Sequence, residues 1–195
     1  MAIQYTNRQG DVYYLHEGKS KTGKSQHYFS KSSDGILANV IPEGFEIYES
    51  PEARVFLRRI PPRIVTDDEI AIVKDGVQQY ANLKFFIVDV KKNAIEVFLP
   101  DQGLDLAEEF CRQLGPLAFG RETAIKDFLI DHAHYSPMMR FVLRDEKNRT
   151  FAVERWCFRG WVDGWIQLET SENLSFLVKK YGVHLGKESF FDLMP

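Results

Sequence analysis

Gly18-Lys19-Ser20-Lys21-Thr22-Gly23-Lys24-Ser25-Gln26-His27-Tyr28-Phe29-Ser30 admits two readings, and they lead to different folds. Its first eight residues satisfy G-x-x-x-x-G-K-[ST], the pattern of a loop whose backbone amides cradle phosphates at the start of a helix. On that reading Gly18 and Gly23 shape the loop, Lys24 reaches the terminal phosphates of a nucleoside triphosphate and Ser25 holds magnesium. Asp89, at the end of the apolar run Phe85-Phe86-Ile87-Val88, then supplies the magnesium-directed acid. The residues that follow favour the other reading. Gln26 to Ser30 is aromatic and strand-like, and Asp34-Gly35 closes it too soon for a helix of several turns. Asp11 to His16 alternates like one strand of a hairpin, where a central parallel strand is continuously apolar. The lysine-rich segment is therefore expected to be the tip between two antiparallel strands, Val12 to Leu15 and Gln26 to Ser30, with the nucleotide-binding loop as the alternative.

Working outward, a short helical turn is expected near Ile36 to Val40, followed by strands Phe45 to Glu49 and Arg54 to Arg59 around Ser50-Pro51-Glu52-Ala53. Ile60-Pro61-Pro62-Arg63 cannot continue a central strand, because neither proline offers an N–H. This corner divides a β-rich module, residues 1–62, from an α+β portion, residues 63–195. The second part opens with a helix that carries its own start signal: Thr66 and Glu69 form a capping box, Val65 and Ile70 a hydrophobic staple. Ile70, Val73, Val77 and Tyr80 give it one apolar face.

Beyond it a hairpin is expected from Phe85 to Leu99, then helices over Leu104 to Leu114, ended by Gly115, and Arg121 to Asp131. Strands Met139 to Arg144, Thr150 to Phe158 and Trp165 to Leu168 follow, and then a last helix, capped by Thr170 or Ser171 and stopped by Gly182. Strands and helices are segregated and hairpin-linked, which is the order of an α+β protein with an antiparallel, hairpin-built sheet and amphipathic helices.

At 195 residues, with 44% hydrophobic and 27% charged residues, the chain has the composition of an ordinary globular protein. The net charge of -3 excludes coating of nucleic acid by bulk charge and leaves only a local basic patch for that role. No apolar run reaches the roughly 18 residues of a membrane span, and Met1 to Arg8 lacks the apolar centre of a signal peptide. A cytoplasmic protein without membrane contact is expected. Cys111 and Cys157 form no CxxC and are expected to be reduced.

Three further constellations bear on chemistry. Lys19, Lys21 and Lys24 stand beside Tyr13, Tyr14, His27, Tyr28 and Phe29, so cations for phosphates and rings for bases occur together; a contact with nucleic acid or with another protein follows from Lys19, Lys21, Lys24, Tyr13 and Tyr28. His132 and His134 form an extended HxH that turns both rings to one side, with Glu154 as a third ligand in a metal-dependent hydrolase. Their place at a helix exit gives the plainer reading, in which imidazoles meet terminal carbonyls. Trp156, Trp161 and Trp165 fall within ten residues and are expected to pack beneath the final helix, the alternative being an aromatic pocket. Cys157 next to Trp156 suits a small buried hydrophobe better than a nucleophile.

Tyr13-Tyr14-Leu15-His16, Lys21-Thr22-Gly23-Lys24 and Ile41-Pro42-Glu43-Gly44-Phe45-Glu46-Ile47-Tyr48-Glu49 carry a resemblance: residues 5–63 are similar to the opening of uncharacterised conserved bacterial proteins. The resemblance implies a bacterial cytoplasmic origin and brings no activity with it. No acid–base pair, nucleophile dyad or complete metal site assembles from spacing, so a non-catalytic binding protein with no cofactor is expected. Magnesium and a nucleoside triphosphate belong to the alternative alone.

Overall fold

The computed structural model describes residues 2–19, 23–101, 104–115, 119–159 and 162–195. Lys21 and Trp161, both singled out above, lie outside them. The protein is α+β and falls into two compact units: residues 1–61 with 102–134, and residues 62–101 with 135–195. The first division comes at the Pro61-Pro62 corner. The helical segment 102–134 groups with the amino-terminal residues, whereas the sequence reading assigned it to the part beyond residue 62.

In the first unit β1 (Gln4–Thr6), β2 (Val12–Lys19) and β3 (Ser25–Ser30) form an antiparallel sheet in that order, and β4 (Phe45–Glu49) pairs with β5 (Val55–Arg59). Where a helical turn was expected, residues 36–38 run extended along β2. Leu37 bridges to His16, Glu17 N–H donates to the Ile36 carbonyl at 3.0 Å and Ala38 N–H to the Leu15 carbonyl at 2.8 Å. The edge of β2 has backbone groups to satisfy, and this tertiary pairing outweighs the weak local helix signal. Polar groups fix the β4–β5 turn: Asn7 Nδ2 donates to the Ala53 carbonyl at 2.7 Å, and Tyr5 Oη to Glu49 Oε2 at 3.0 Å. The helices α2 (Leu104–Leu114) and α3 (Glu122–Asp131) pack against each other.

The second unit is built on a five-stranded antiparallel sheet of β6 (Ile87–Lys91), β7 (Ala94–Pro100), β8 (Tyr135–Asp145), β9 (Thr150–Arg159) and β10 (Val162–Ser171), in spatial order β10-β9-β8-β7-β6. One face carries Ile95, Val97, Met139, Phe141, Phe151 and Val153, all fully buried or nearly so, and helices α1 (Asp67–Gly76) and α4 (Leu174–Gly182) complete that core through Val73, Leu177 and Val178. Thr66 Oγ1 accepts from Glu69 N–H and Glu69 returns the bond to Thr66 N–H, so the expected capping box is formed. The last helix starts later than expected: its cap is Asn173, whose Oδ1 accepts from Phe176 N–H at 2.9 Å, because β10 runs on through Thr170 and Ser171.

Two irregularities set which side chains meet. Pro137 sits where β8 shifts register against β7, between Val97 and Phe98, which is where a residue without an N–H is tolerated. In β10 the register shifts between Gln167 and Glu169, so that these two residues, alike in sequence parity, leave on opposite faces. Glu169 joins the helix side, accepting from Lys180 Nζ at 2.7 Å and Tyr181 Oη at 2.8 Å.

Candidate functional sites

The segment from Gly18 to Ser25 is the tip of the β2–β3 hairpin. Lys19 lies opposite Ser25, Gly18 opposite Gln26, Glu17 opposite His27 and His16 opposite Tyr28. Gly23 takes φ +78, a left-handed turn conformation that glycine adopts without cost. Ser25 opens a strand, so the helix start that a phosphate-cradling loop requires is replaced by β3. Asp89 lies in the other unit, in mid-hairpin opposite Glu96 and 3.9 Å from Lys91 Nζ. The apolar strand thus carries its acid inside a ladder.

Alternation along the ribbon sorts the proposed contact residues. His16, Gly18, Gln26 and Tyr28 share one face; Tyr13, Leu15 and Phe29 belong to the other, where Leu15 is fully buried. Tyr13 and Tyr28 are therefore not neighbours on one surface. Lys31 Nζ sits 5.7 Å from the Tyr13 ring centre and bonds Asp11 Oδ2 at 2.7 Å, a pairing that lowers the carboxyl pKa of Asp11 and raises that of Lys31. On the Tyr28 face the ring stacks on His16, with centroids 5.2 Å apart and planes 11° apart. His16 is buried and fixed, its Nε2–H donating to the Ser32 carbonyl at 2.9 Å. Tyr28 keeps 46% of its surface exposed, and Lys19 and Lys24 are exposed at the tip.

His132 ends α3, where its Nδ1–H donates to the Phe128 carbonyl at 2.8 Å and its ring stacks on Phe128 with centroids 4.0 Å apart. That is the helix-exit role. Glu154 belongs to the second unit and is held there by Arg140 and Arg144. Among the described residues no three His, Cys, Asp or Glu side chains gather as a metal site.

A feature the sequence reading missed lies on the sheet face opposite the core. Asp89, Glu96, Arg140, Glu154 and Gln167 stand in register across all five strands. Arg140 Nε donates to Glu154 Oε2 at 2.7 Å, Arg144 bonds the other oxygen of that carboxylate, and Lys91 Nζ donates to Glu96 Oε2 at 2.8 Å. The Glu154 and Glu96 side chains are only 4% and 8% exposed. Three carboxylates, those of Asp89, Glu96 and Glu154, meet three cations, Lys91, Arg140 and Arg144, so the row leaves no net charge for a ligand to neutralise.

Trp165 lies under the Arg140 guanidinium at 4.3 Å and meets Trp156 edge to face at 5.1 Å. These two indoles therefore sit on the charged face, away from α4, which corrects the expectation that they pack beneath it. Cys157 is buried, as a small hydrophobe would be. At one end of the sheet Met138, Phe158 and Phe191 line an open, largely apolar cleft of about 710 Å³ with Lys187 and Glu188 among its lining residues.

No family model, no curated protein and no solved structure matches this chain. Among the described residues no helix is long and apolar enough to cross a membrane.

Proposed function

We propose that this chain is a non-catalytic binding protein of the bacterial cytoplasm and that it contacts nucleic acid through the β2–β3 ribbon. The observation that carries the reading is local charge. Between residues 11 and 31, with Lys31 paired to Asp11, three lysines, Lys19, Lys21 and Lys24, stand against one further carboxylate, Glu17, in a chain whose net charge is -3. Cations at a ribbon tip bind phosphates irrespective of sequence, and an exposed ring on the same ribbon offers a surface for bases. The ion-paired carboxylates of the five-stranded sheet support a structural use of the second unit's charges.

Fluorescence anisotropy with a labelled single-stranded oligonucleotide tests it. Binding should weaken as salt rises, and Lys19→Ala with Lys24→Ala should flatten that dependence by about one phosphate contact per lysine. Binding that ignores salt, or no binding at all, counts against the reading and leaves the ribbon to a protein partner.

A further inference from the structure

Gly18 is at odds with its position. It lies inside β2, paired with Gln26, and its backbone angles are ones that any residue adopts. Glycine in such a place weakens a strand, since it loses more freedom on folding and packs no side chain, and it commonly marks a spot where something else must approach closely. A Cβ at residue 18 would lie 3.4 Å from Tyr28 Cε1, in van der Waals contact with the ring. A larger side chain there would crowd the ring at that carbon. Gly18 therefore sets no side chain against a ring that is 46% exposed and stacked on His16, itself buried and tied to the Ser32 carbonyl.

Resting on the nucleic-acid reading above, we infer that Tyr28 is a stacking platform for one unpaired base, held rigid by His16 and left uncovered by Gly18, so that the ribbon selects single strands over duplexes. A base has a flat π-face whatever its identity, and stacking on a fixed ring loses little conformational entropy. In a duplex both faces of an internal base are occupied by its neighbours, and it must be unstacked before it can reach the ring. Lys24, exposed at the tip one residue before β3, holds a phosphate beside the ring, and Lys19, whose side chain leaves on the Leu15 face of β2, holds one on the other side of the ribbon. Lysine contacts alone would bind any polyanion; the ring adds the dependence on an accessible base.

The test compares three labelled probes of roughly twelve nucleotides, within the span such sheets cover: a thymidine single strand, an abasic strand of equal phosphate count and a duplex. The full-length protein should bind the thymidine strand about tenfold more tightly than the abasic strand, the size of one stacked base. Tyr28→Ala should bring that ratio to one, Tyr28→Phe should preserve it, and Gly18→Val should reduce it while the salt dependence stays. Equal, salt-dependent binding of thymidine and abasic strands by the unaltered protein overturns the platform and leaves the lysine reading standing. Binding of none of the probes overturns both. Because the thymidine-to-abasic ratio is read on the unaltered chain, a variant that fails to fold does not rescue the idea.

Discussion

Arg149 and Glu69, eighty residues apart in the chain, form a two-pronged ion pair: Arg149 Nε donates to Glu69 Oε1 at 2.9 Å and Nη2 to Oε2. Glu69 is also the returning half of the Thr66 capping box, and Arg149 Nη2 reaches the Ile64 carbonyl at 3.2 Å. One carboxylate thus starts α1 and fastens it to the β8–β9 turn. Arg149 accepts φ +52 to make this contact, a left-handed backbone uncommon outside glycine, asparagine and aspartate.

Removing that carboxylate should cost stability in a pH-dependent way. Burial raises the pKa of Glu69, but the bonds from Arg149 and from the Thr66 amide outweigh it, and the net shift is downward. A depressed folded-state pKa gives stability that is fully present above the unfolded glutamate pKa, about 4.3, and is lost as pH falls through the folded value. Glu69→Gln should therefore lose about 2 kcal/mol at neutral pH. The gap to the unaltered protein should close below about pH 4, as read by urea denaturation across pH.

The Arg140–Glu154 pair should behave as a buried pair in which either charge alone is worse than neither. Arg140→Leu leaves Glu154 and Glu96 with less compensation and should destabilise by about 3 kcal/mol, the low end for such pairs because the arginine is 26% exposed. Arg140→Leu combined with Glu154→Leu should recover much of that loss. A double-mutant cycle by chemical denaturation returning no coupling would show the row to be dispensable.

Close approach of α1 and α4 depends on one missing methyl group. A Cβ at Gly76 would stand 2.3 Å from Val178 Cγ1, inside any tolerable contact. Gly76→Ala should therefore destabilise by about 1–3 kcal/mol through overpacking, although alanine favours an exposed helix by about 1 kcal/mol. Adding Val178→Ala should restore part of the melting temperature; a single variant more stable than the parent would contradict the packing.

Magnesium with ATP or GTP should leave the melting temperature unchanged, because Ser25 begins a strand where a phosphate-cradling loop needs the start of a helix. A stabilisation abolished by Lys24→Ala would reinstate the phosphate-loop reading.

Features confined to neighbouring residues were legible in the sequence alone. The Thr66 and Glu69 cap, the hairpin path through Gly18 to Ser25 and the α+β order follow from local chemistry, since capping, turn geometry and side-chain alternation act within a few positions. Local signals misled where a partner distant in the chain decided: Leu37 went to the edge of His16, Asn173 displaced Thr170 and Ser171 as cap, and Trp156 and Trp165 took the face away from α4. The row from Asp89 to Gln167 and the separation of Glu169 from Gln167 belong to tertiary structure alone. Register is set between strands, and one shifted residue sends a side chain to the opposite face, so no reading along a single strand could place them.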